Sequence, residues 1–308
     1  MAKSDGNVPS AGVVGLGEIG GGLAGNLVKA GVVLSVCDVR DEATAPYRDA
    51  AHVAASPREL AERSDVVLVA VLNDEQVRSV LEGEDGVFAG ACDGTTVVVV
   101  STIATETVTA MRETGTRHGV TVVDCGVSGG QAGADNGELV CMVGGTEEEV
   151  DRVRPLLDVF SSLVLHMGPP GAGLSAKLAR NVVQYGSWLA AQEAQELAEA
   201  AGVDLIKLGE AIRESDRVIG GAARLMFRPT AEPWPDDTDA NLLSFLRDKA
   251  SLAHKDLAAA RALGDELRVA TPVASLSDAR CERIFGLPEP GCGGLRRRPA
   301  RAGCPPRL

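Results

Sequence analysis

Val13 to Gly25 reads VVGLGEIGGGLAG, a hydrophobic segment that ends in a cluster of glycines. Glycine inside a regular element costs conformational entropy, so a cluster at this point needs a geometric reason. Ala11 to Leu16 is a short apolar run of the kind that forms a buried parallel strand, and the glycines follow as Gly15-x-Gly17-x-x-Gly20. Leu23, Leu27 and Val28 continue at helical spacing. A second apolar run, Val32 to Cys37, ends at Asp38, about twenty residues beyond the motif. Strand, glycine turn, helix, strand and acid in this order form a dinucleotide-binding fingerprint.

The loop Gly15, Leu16, Gly17, Glu18, Ile19 and Gly20 is therefore the candidate cofactor cradle. Gly15 permits a tight turn and Gly17 lets the backbone approach a pyrophosphate. Gly20 lets the helix pack on the strand with its N-terminal amides toward the phosphates. Asp38 is placed to accept hydrogen bonds from ribose hydroxyls and to repel a 2′-phosphate, which favours NAD. Arg40 could pair with that phosphate and keeps NADP possible, but it reads more naturally as a solvated loop charge.

The alternation continues. Helical segments at Arg58 to Arg63, Gln76 to Leu81 and Glu147 to Phe160 are interleaved with strand runs. Those runs are Asp65 to Leu72, Thr96 to Val100, Val120 to Val123, Leu139 to Val143 and Leu163 to His166. Repeated strand–helix units imply an α/β domain with a doubly wound, Rossmann-type sheet over residues 1–168. Ligands of such sheets sit at the carboxyl ends of the strands, which draws in Leu72, Asn73, Ser101 and Thr102. Ser101 and Thr102 equally fit as caps of the next helix.

Gly168-Pro-Pro-Gly-Ala-Gly173 is a break, and beyond it no strand-like run recurs. Leu174 to Ala201 reads as one long helix. Ile206 to Ile212, Val218 to Met226, Leu242 to Leu263 and Thr271 to Cys281 read as further helices, with a surface loop starting at Arg228. Residues 169–281 thus form an all-α C-terminal domain joined through the long helix. The formal net charge of −13 disfavours nucleic acid or an anionic membrane as a partner. Seven cysteines without a C-x-x-C pair read as free thiols in a reducing compartment. The polar start MAKSDGNVPS and the lack of any membrane-length apolar run point to the cytoplasm.

Two stretches can carry chemistry. Asp124-Cys-Gly-Val-Ser128-Gly129-Gly130 ends a strand in a hydroxyl and several unshielded backbone amides, which suits a carboxylate. Gly173-Leu-Ser-Ala-Lys177-Leu-Ala-Arg-Asn181 places Lys177 and Asn181 four apart on one face of the long helix. By itself that pair also fits a solvated helix face.

With these motifs together, the chain resembles the β-hydroxyacid dehydrogenase family, which includes 3-hydroxyisobutyrate dehydrogenases and tartronate semialdehyde reductases. The matching motifs are GLGEIG, DCGVSGG with AGADNGEL, GLSAKLARN and HKDLAAA. The resemblance implies hydride transfer between a nicotinamide cofactor and a small carboxylate-bearing 3-hydroxy acid or semialdehyde. It implies that Lys177 is the acid/base, Asn181 a substrate contact, and Ser128, Gly129 and Gly130 the carboxylate clamp. Leu72, Asn73 and Thr102 would line the cofactor, with Lys255 near the nicotinamide. Burial and Lys255 would together lower the Lys177 pKa to a working value. No metal is required, since the ammonium can polarise the oxygen. A homodimer or homotetramer is expected.

Three departures stand out: Ile19 for a usual methionine, Gly126 for a frequent proline, which loosens the approach to the substrate loop, and Arg180-Asn181-Val-Val-Gln-Tyr185, which is closer to the phosphogluconate branch. The motifs leave open the individual hydroxy acid and the direction of reaction. Two competing readings are an imine reductase, against which Lys177 argues, and a cofactor-binding protein without activity. Residues 282–308 read as an atypical basic, disordered or frame-shifted tail, with no acid after Glu289.

Overall fold

The computed structural model describes residues 8–288, apart from 225, 227, 229 and 236. The tail expected to be atypical therefore lies outside the described residues from position 289 onward, as do Cys292 and Cys304.

The apolar runs become β1 (Ala11–Val14), β2 (Leu34–Cys37), β4 (Val66–Val69), β5 (Thr96–Val99), β6 (Thr121–Ser128), β7 (Leu139–Gly144) and β8 (Ser161–Gly168). A two-residue β3 (His52–Val53) is too short to show as a sequence pattern. They form one eight-stranded sheet in the order β3-β2-β1-β4-β5-β6-β7-β8. Helices cover both faces of its centre, so strand residues are apolar on both sides. Val13, Val36, Leu68 and Val98 enter one core layer, while Val14, Cys37, Val69 and Val99 enter the other. Chain order reverses between β1 and β4, and that switch point opens the crevice where a ligand fits.

Pairing is parallel from β3 to β6, but β6 runs antiparallel to β7, with Asp124 opposite Gly144 and Ser128 opposite Val140. The link between them holds only the helix Gly130–Asn136. That is too little chain for a parallel crossover. The short helix packs on the fingerprint helix Glu18–Lys29. A Cβ at Gly22 would meet Ala134 at 2.7 Å, and Asn26 Nδ2 donates to the Ala134 carbonyl at 2.7 Å.

The chain divides into two compact units, Met1–Val182 and Val183–Leu308. The long helix Ala172–Ala200 starts in the first and finishes in the second. In the second unit the helix Leu205–Ile219 contains the expected Ile206 to Ile212 and runs on through Val218 and Ile219. Of the remaining described residues of the expected Val218 to Met226, only Gly221–Ala223 form a 3-10 turn. Nothing between Ile212 and Val218 breaks the helix, and it stops at Gly220 in the left-handed region (φ 94°). The helices Ala240–Leu267, Pro272–Ala279 and Cys281–Ile284 follow. Glu193 accepts from the amides of Val273 and Ala274 at 2.6 and 2.8 Å, capping the helix that begins at Pro272. Residues 282–288 do not behave as a tail: Leu287 is buried with Leu246, Ala250 and Cys281. The Trp234 indole donates to the Phe285 carbonyl at 3.0 Å. Among the described residues no helix is long and apolar enough to cross a membrane.

His254 ties this unit together. Its Nδ1 lies 2.6 Å from Asp278 Oδ1 and its Nε2 3.1 Å from Glu282 Oε1, and Arg261 also donates to Asp278 at 2.7 Å. The hydrogen bond to Asp278, then that to Glu282, raises the imidazole pKa. A raised pKa means that the clamp stabilises the fold fully below the ordinary histidine value. That stability is lost as pH climbs through the folded-state value. The melting temperature should therefore fall as pH rises above the ordinary histidine value of about 6.5, and His254→Gln should flatten that slope. Identical slopes in the two proteins would show that the clamp carries no proton linkage.

Candidate active site

At the carboxyl end of β1 the chain turns through Gly15 (φ 87°), where a Cβ would meet the Ala70 carbonyl oxygen at 2.5 Å. Gly20 sits against the Gly15 carbonyl oxygen, well inside the distance any Cβ tolerates. Gly17 is different. A Cβ there would meet nothing within 4 Å, and as N-cap of the helix Glu18–Lys29 it offers no side-chain acceptor to the first amides. Open space over uncapped amides fits a pyrophosphate. Around it Leu16 is buried, Glu18 is exposed and Ile19 is half-buried.

Asp38, one residue beyond β2, is more occupied than its sequence position suggests. Its Oδ2 accepts from the Leu16 amide at 2.7 Å and its Oδ1 from the Arg40 amide at 2.9 Å. The Arg40 guanidinium forks onto both oxygens at 3.0 and 3.1 Å. Arg40 is thus no free loop charge: it covers the carboxylate, whose side chain is 6% exposed against 51% for Arg40. Burial alone would raise the Asp38 pKa, but the hydrogen bonds from Arg40 and Leu16 outweigh it and hold the group below the usual carboxylate range.

The next loops leave the ends of β4 and β5. Leu72 is 85% exposed and its amide donates to Gln76 Oε1 at 2.9 Å. The Asn73 side chain caps the helix Asp74–Glu82 by accepting from the Gln76 amide at 2.9 Å. Ser101 and Thr102 are not caps: the helix Thr105–Arg117 starts from Ala104. Ser101 Oγ is buried and accepts from the Val71 amide at 2.9 Å, joining the two loops, while Thr102 is exposed.

β6 outruns its neighbour. Val99, the last residue of β5, pairs with Asp124, leaving Cys125 to Ser128 beyond it. With period two, Asp124, Gly126 and Ser128 share one face of the strand. The long helix lies on that face. Asp124, fully buried, accepts from the amides of Gly171 at 2.6 Å and Leu174 at 2.8 Å. A Cβ on Gly173 would meet the Asp124 carbonyl oxygen at 2.8 Å, and one on Gly126 would run into the Cβ of Lys177. Four helical residues rise about 6 Å and two strand residues about 6.6 Å. Lys177 and Asn181, four residues apart, therefore rise at about the pace of Gly126 and Ser128. Gly126 does not loosen this region: its missing side chain is filled by the stem of Lys177.

Lys177 is half-buried and has no hydrogen-bond or ion-pair partner among the described residues. Burial lowers its pKa first, and the like charge of Arg180 lowers it further. Arg180 lies three residues further along the same helix. Lys255 lies in the second unit, exposed on the helix Ala240–Leu267, with its Nζ 3.1 Å from Asp256 Oδ1. Ser128 and Asn181 are half-buried; Gly129 (φ 135°) and Gly130 (φ 64°) are exposed. Asp124 is the residue that the sequence reading left without a role. Nothing in a strand pattern announces that a carboxylate will cap a helix begun 47 residues later.

Residues 10–168 match the NAD binding domain of 6-phosphogluconate dehydrogenase. An uncharacterised oxidoreductase of Mycobacterium tuberculosis is 42% identical over 284 residues, 92% of this chain and 95% of its own length. The NAD-dependent L-serine dehydrogenase of Pseudomonas aeruginosa is 33% identical over 270 residues, covering 86% and 88%. The crystal structure of an oxidoreductase from Mycobacterium avium superposes with a TM-score of 0.84 at 34% identity, covering 91% of this chain and 99% of the other.

Proposed function

From the premise that this chain belongs to the family of 6-phosphogluconate and 3-hydroxyisobutyrate dehydrogenases, NAD-binding oxidoreductases of hydroxy acids, we propose that it interconverts a small carboxylate-bearing 3-hydroxy acid and its semialdehyde, with Lys177 as acid/base. The observation that carries this reading is the seating of Lys177 on Gly126, two residues before Ser128 on the same strand face.

Gly15, Leu16, Gly17, Glu18, Ile19 and Gly20 hold the pyrophosphate, Asp38 faces the ribose, and Leu72, Asn73 and Thr102 line the cofactor. Lys255 sits near the nicotinamide by resemblance. When bound, the nicotinamide takes the hydride in oxidation and gives it in reduction. Ser128 and the amides of Gly129 and Gly130 hold the substrate carboxylate, and Asn181 holds the remaining polar edge. Two fixed ends orient the carbinol carbon, which is where proximity supplies rate. Neutral Lys177 takes the hydroxyl proton in oxidation, and its ammonium returns one to the carbonyl oxygen in reduction. Burial and the like charge of Arg180 lower its pKa from the ordinary lysine value, the direction an acid/base needs. Lys177 argues against imine reduction, and the intact lysine, asparagine and serine argue against an inactive cofactor binder.

A panel of L-serine, 3-hydroxyisobutyrate, glycerate, 4-hydroxybutyrate, threonate and 6-phosphogluconate, with tartronate semialdehyde in reverse, should return at least one substrate. NAD should give the higher kcat/KM, because the Arg40 fork is already spent on Asp38. No turnover of any carboxylate would sink the Ser128 clamp, and a clear NADP preference would mean that Arg40 leaves Asp38 for the 2′-phosphate.

The active form is proposed to be a homodimer or homotetramer. Val182, Tyr185, Trp188 and Leu189 of the long helix are each at least 60% exposed, a stripe that water penalises and a second copy would cover. Light scattering should return a dimer or larger at micromolar concentration, and a monomer there would refute it.

A further inference from the structure

The long helix could dock on the sheet in many registers if apolar packing alone decided, because such packing has no direction. A carboxylate with two oxygens fixed by two amides does not permit that freedom. Asp124 Oδ1 takes the Gly171 amide and Oδ2 the Leu174 amide, so one side chain grips both the turn that enters the helix and the helix's first turn. Small residues enclose the grip. A Cβ on Gly144 would meet Asp124 Oδ2 at 2.8 Å, and one on Gly173 would meet the Gly144 amide nitrogen at 2.8 Å. Lys177 comes one turn after Leu174, on the face that meets Gly126.

We propose that Asp124 is a positioning residue that fixes the register of the long helix on β6 and thereby sets where the Lys177 ammonium lies relative to Ser128. The proposal rests on the acid/base reading of Lys177, and its test separates the two. Arg180 is the charged group that acts on Lys177 from its own helix, and the β6 residue against Lys177, Gly126, contributes none. A change at Asp124 therefore reaches Lys177 through position and burial.

Asp124→Asn keeps the shape but turns an NH2 toward one of the two amides. Its kcat should fall about 100-fold, the loss typical of a misplacement on the scale of an ångström. NADH affinity should stay at the wild-type value. The limb along which kcat for oxidation rises with pH should move to higher pH, because a lysine released toward water regains its ordinary basicity. A purely structural role would lower the melting temperature yet leave the pH profile and kcat of the folded enzyme at wild-type values, and that result overturns the proposal. If Asp124→Asn does not fold, Gly126→Ala reads the same register from the strand side, because the added methyl must push the Lys177 stem away. A drop in kcat with the same shift of the pH limb supports the proposal, and an unchanged profile overturns it. Lys177→Ala is the third arm. Wild-type turnover there overturns the acid/base reading and this proposal together. An inactive Lys177→Ala beside a fully active Asp124→Asn overturns this proposal alone.

Discussion

Lys177→Ala should lower kcat by about 10²–10⁴-fold, the usual contribution of general acid–base catalysis, and leave NADH affinity nearly intact. The two effects separate because the residues assigned to the pyrophosphate and ribose lie between Gly15 and Asp38. The Lys177 stem instead occupies the place of a side chain on Gly126. Lys177→Arg should not restore turnover. A guanidinium keeps the charge but gives up no proton near neutral pH, and it is too broad for the space a lysine stem fills. Two measurements decide the matter: steady-state kcat for both variants, and NADH titration by fluorescence. If Lys177→Arg kept most of the wild-type kcat, the lysine would be only an electrostatic anchor. Parallel losses of kcat and NADH affinity in Lys177→Ala would mean that the helix, not the ammonium, had been damaged.

The second large effect distinguishes two glycines that look alike in sequence. Gly20→Ala should destabilise the protein before any ligand is added, since its methyl falls on the Gly15 carbonyl oxygen and 3.2 Å from the Ala70 Cβ. Forcing a methyl into a closed contact costs about 1–3 kcal/mol, and the displaced helix should bind NADH about 10- to 100-fold more weakly. Gly17→Ala has room for its methyl and should melt at the wild-type temperature. It should nonetheless bind NADH more weakly, because the methyl enters the space assigned to the pyrophosphate. Thermal melts without ligand and calorimetric NADH titrations of the two variants test both halves. Unchanged NADH affinity in Gly17→Ala would move the pyrophosphate elsewhere.

The parts of this molecule written in local pattern were legible in advance. The apolar runs Ala11 to Leu16, Val32 to Cys37, Asp65 to Leu72 and Thr96 to Val100 contain β1, β2, β4 and β5, because strands covered on both faces can be apolar throughout. The fingerprint was legible for the same local reason. What escaped depends on contacts between distant residues. The antiparallel course of β7 follows from how little chain separates it from β6. The Asp124 clamp joins residues 47 and 50 apart. Arg40 was read as a loop charge because its fork onto Asp38 depends on the chain folding back within three residues. Gly126 looked like a slack position because a missing side chain is visible in sequence and the lysine stem that fills it is not. The expected helix Val218 to Met226 is cut by Gly220, whose left-handed backbone ends Leu205–Ile219.

The contact of Gly22 and Asn26 with Ala134 has a consequence for how this chain can change. Ala134 belongs to the helix that follows the Ser-Gly-Gly segment, and Gly22 and Asn26 belong to the helix that follows the cofactor turn. A larger residue at either side of that contact shifts both segments at once. Altering the helix after the proposed Ser-Gly-Gly carboxylate clamp, to admit a bulkier acid, would thus weaken nucleotide binding as well. Variants that broaden substrate scope are better sought at Asn181 on the long helix, the other residue proposed to hold the substrate and no member of the Gly22–Ala134 contact.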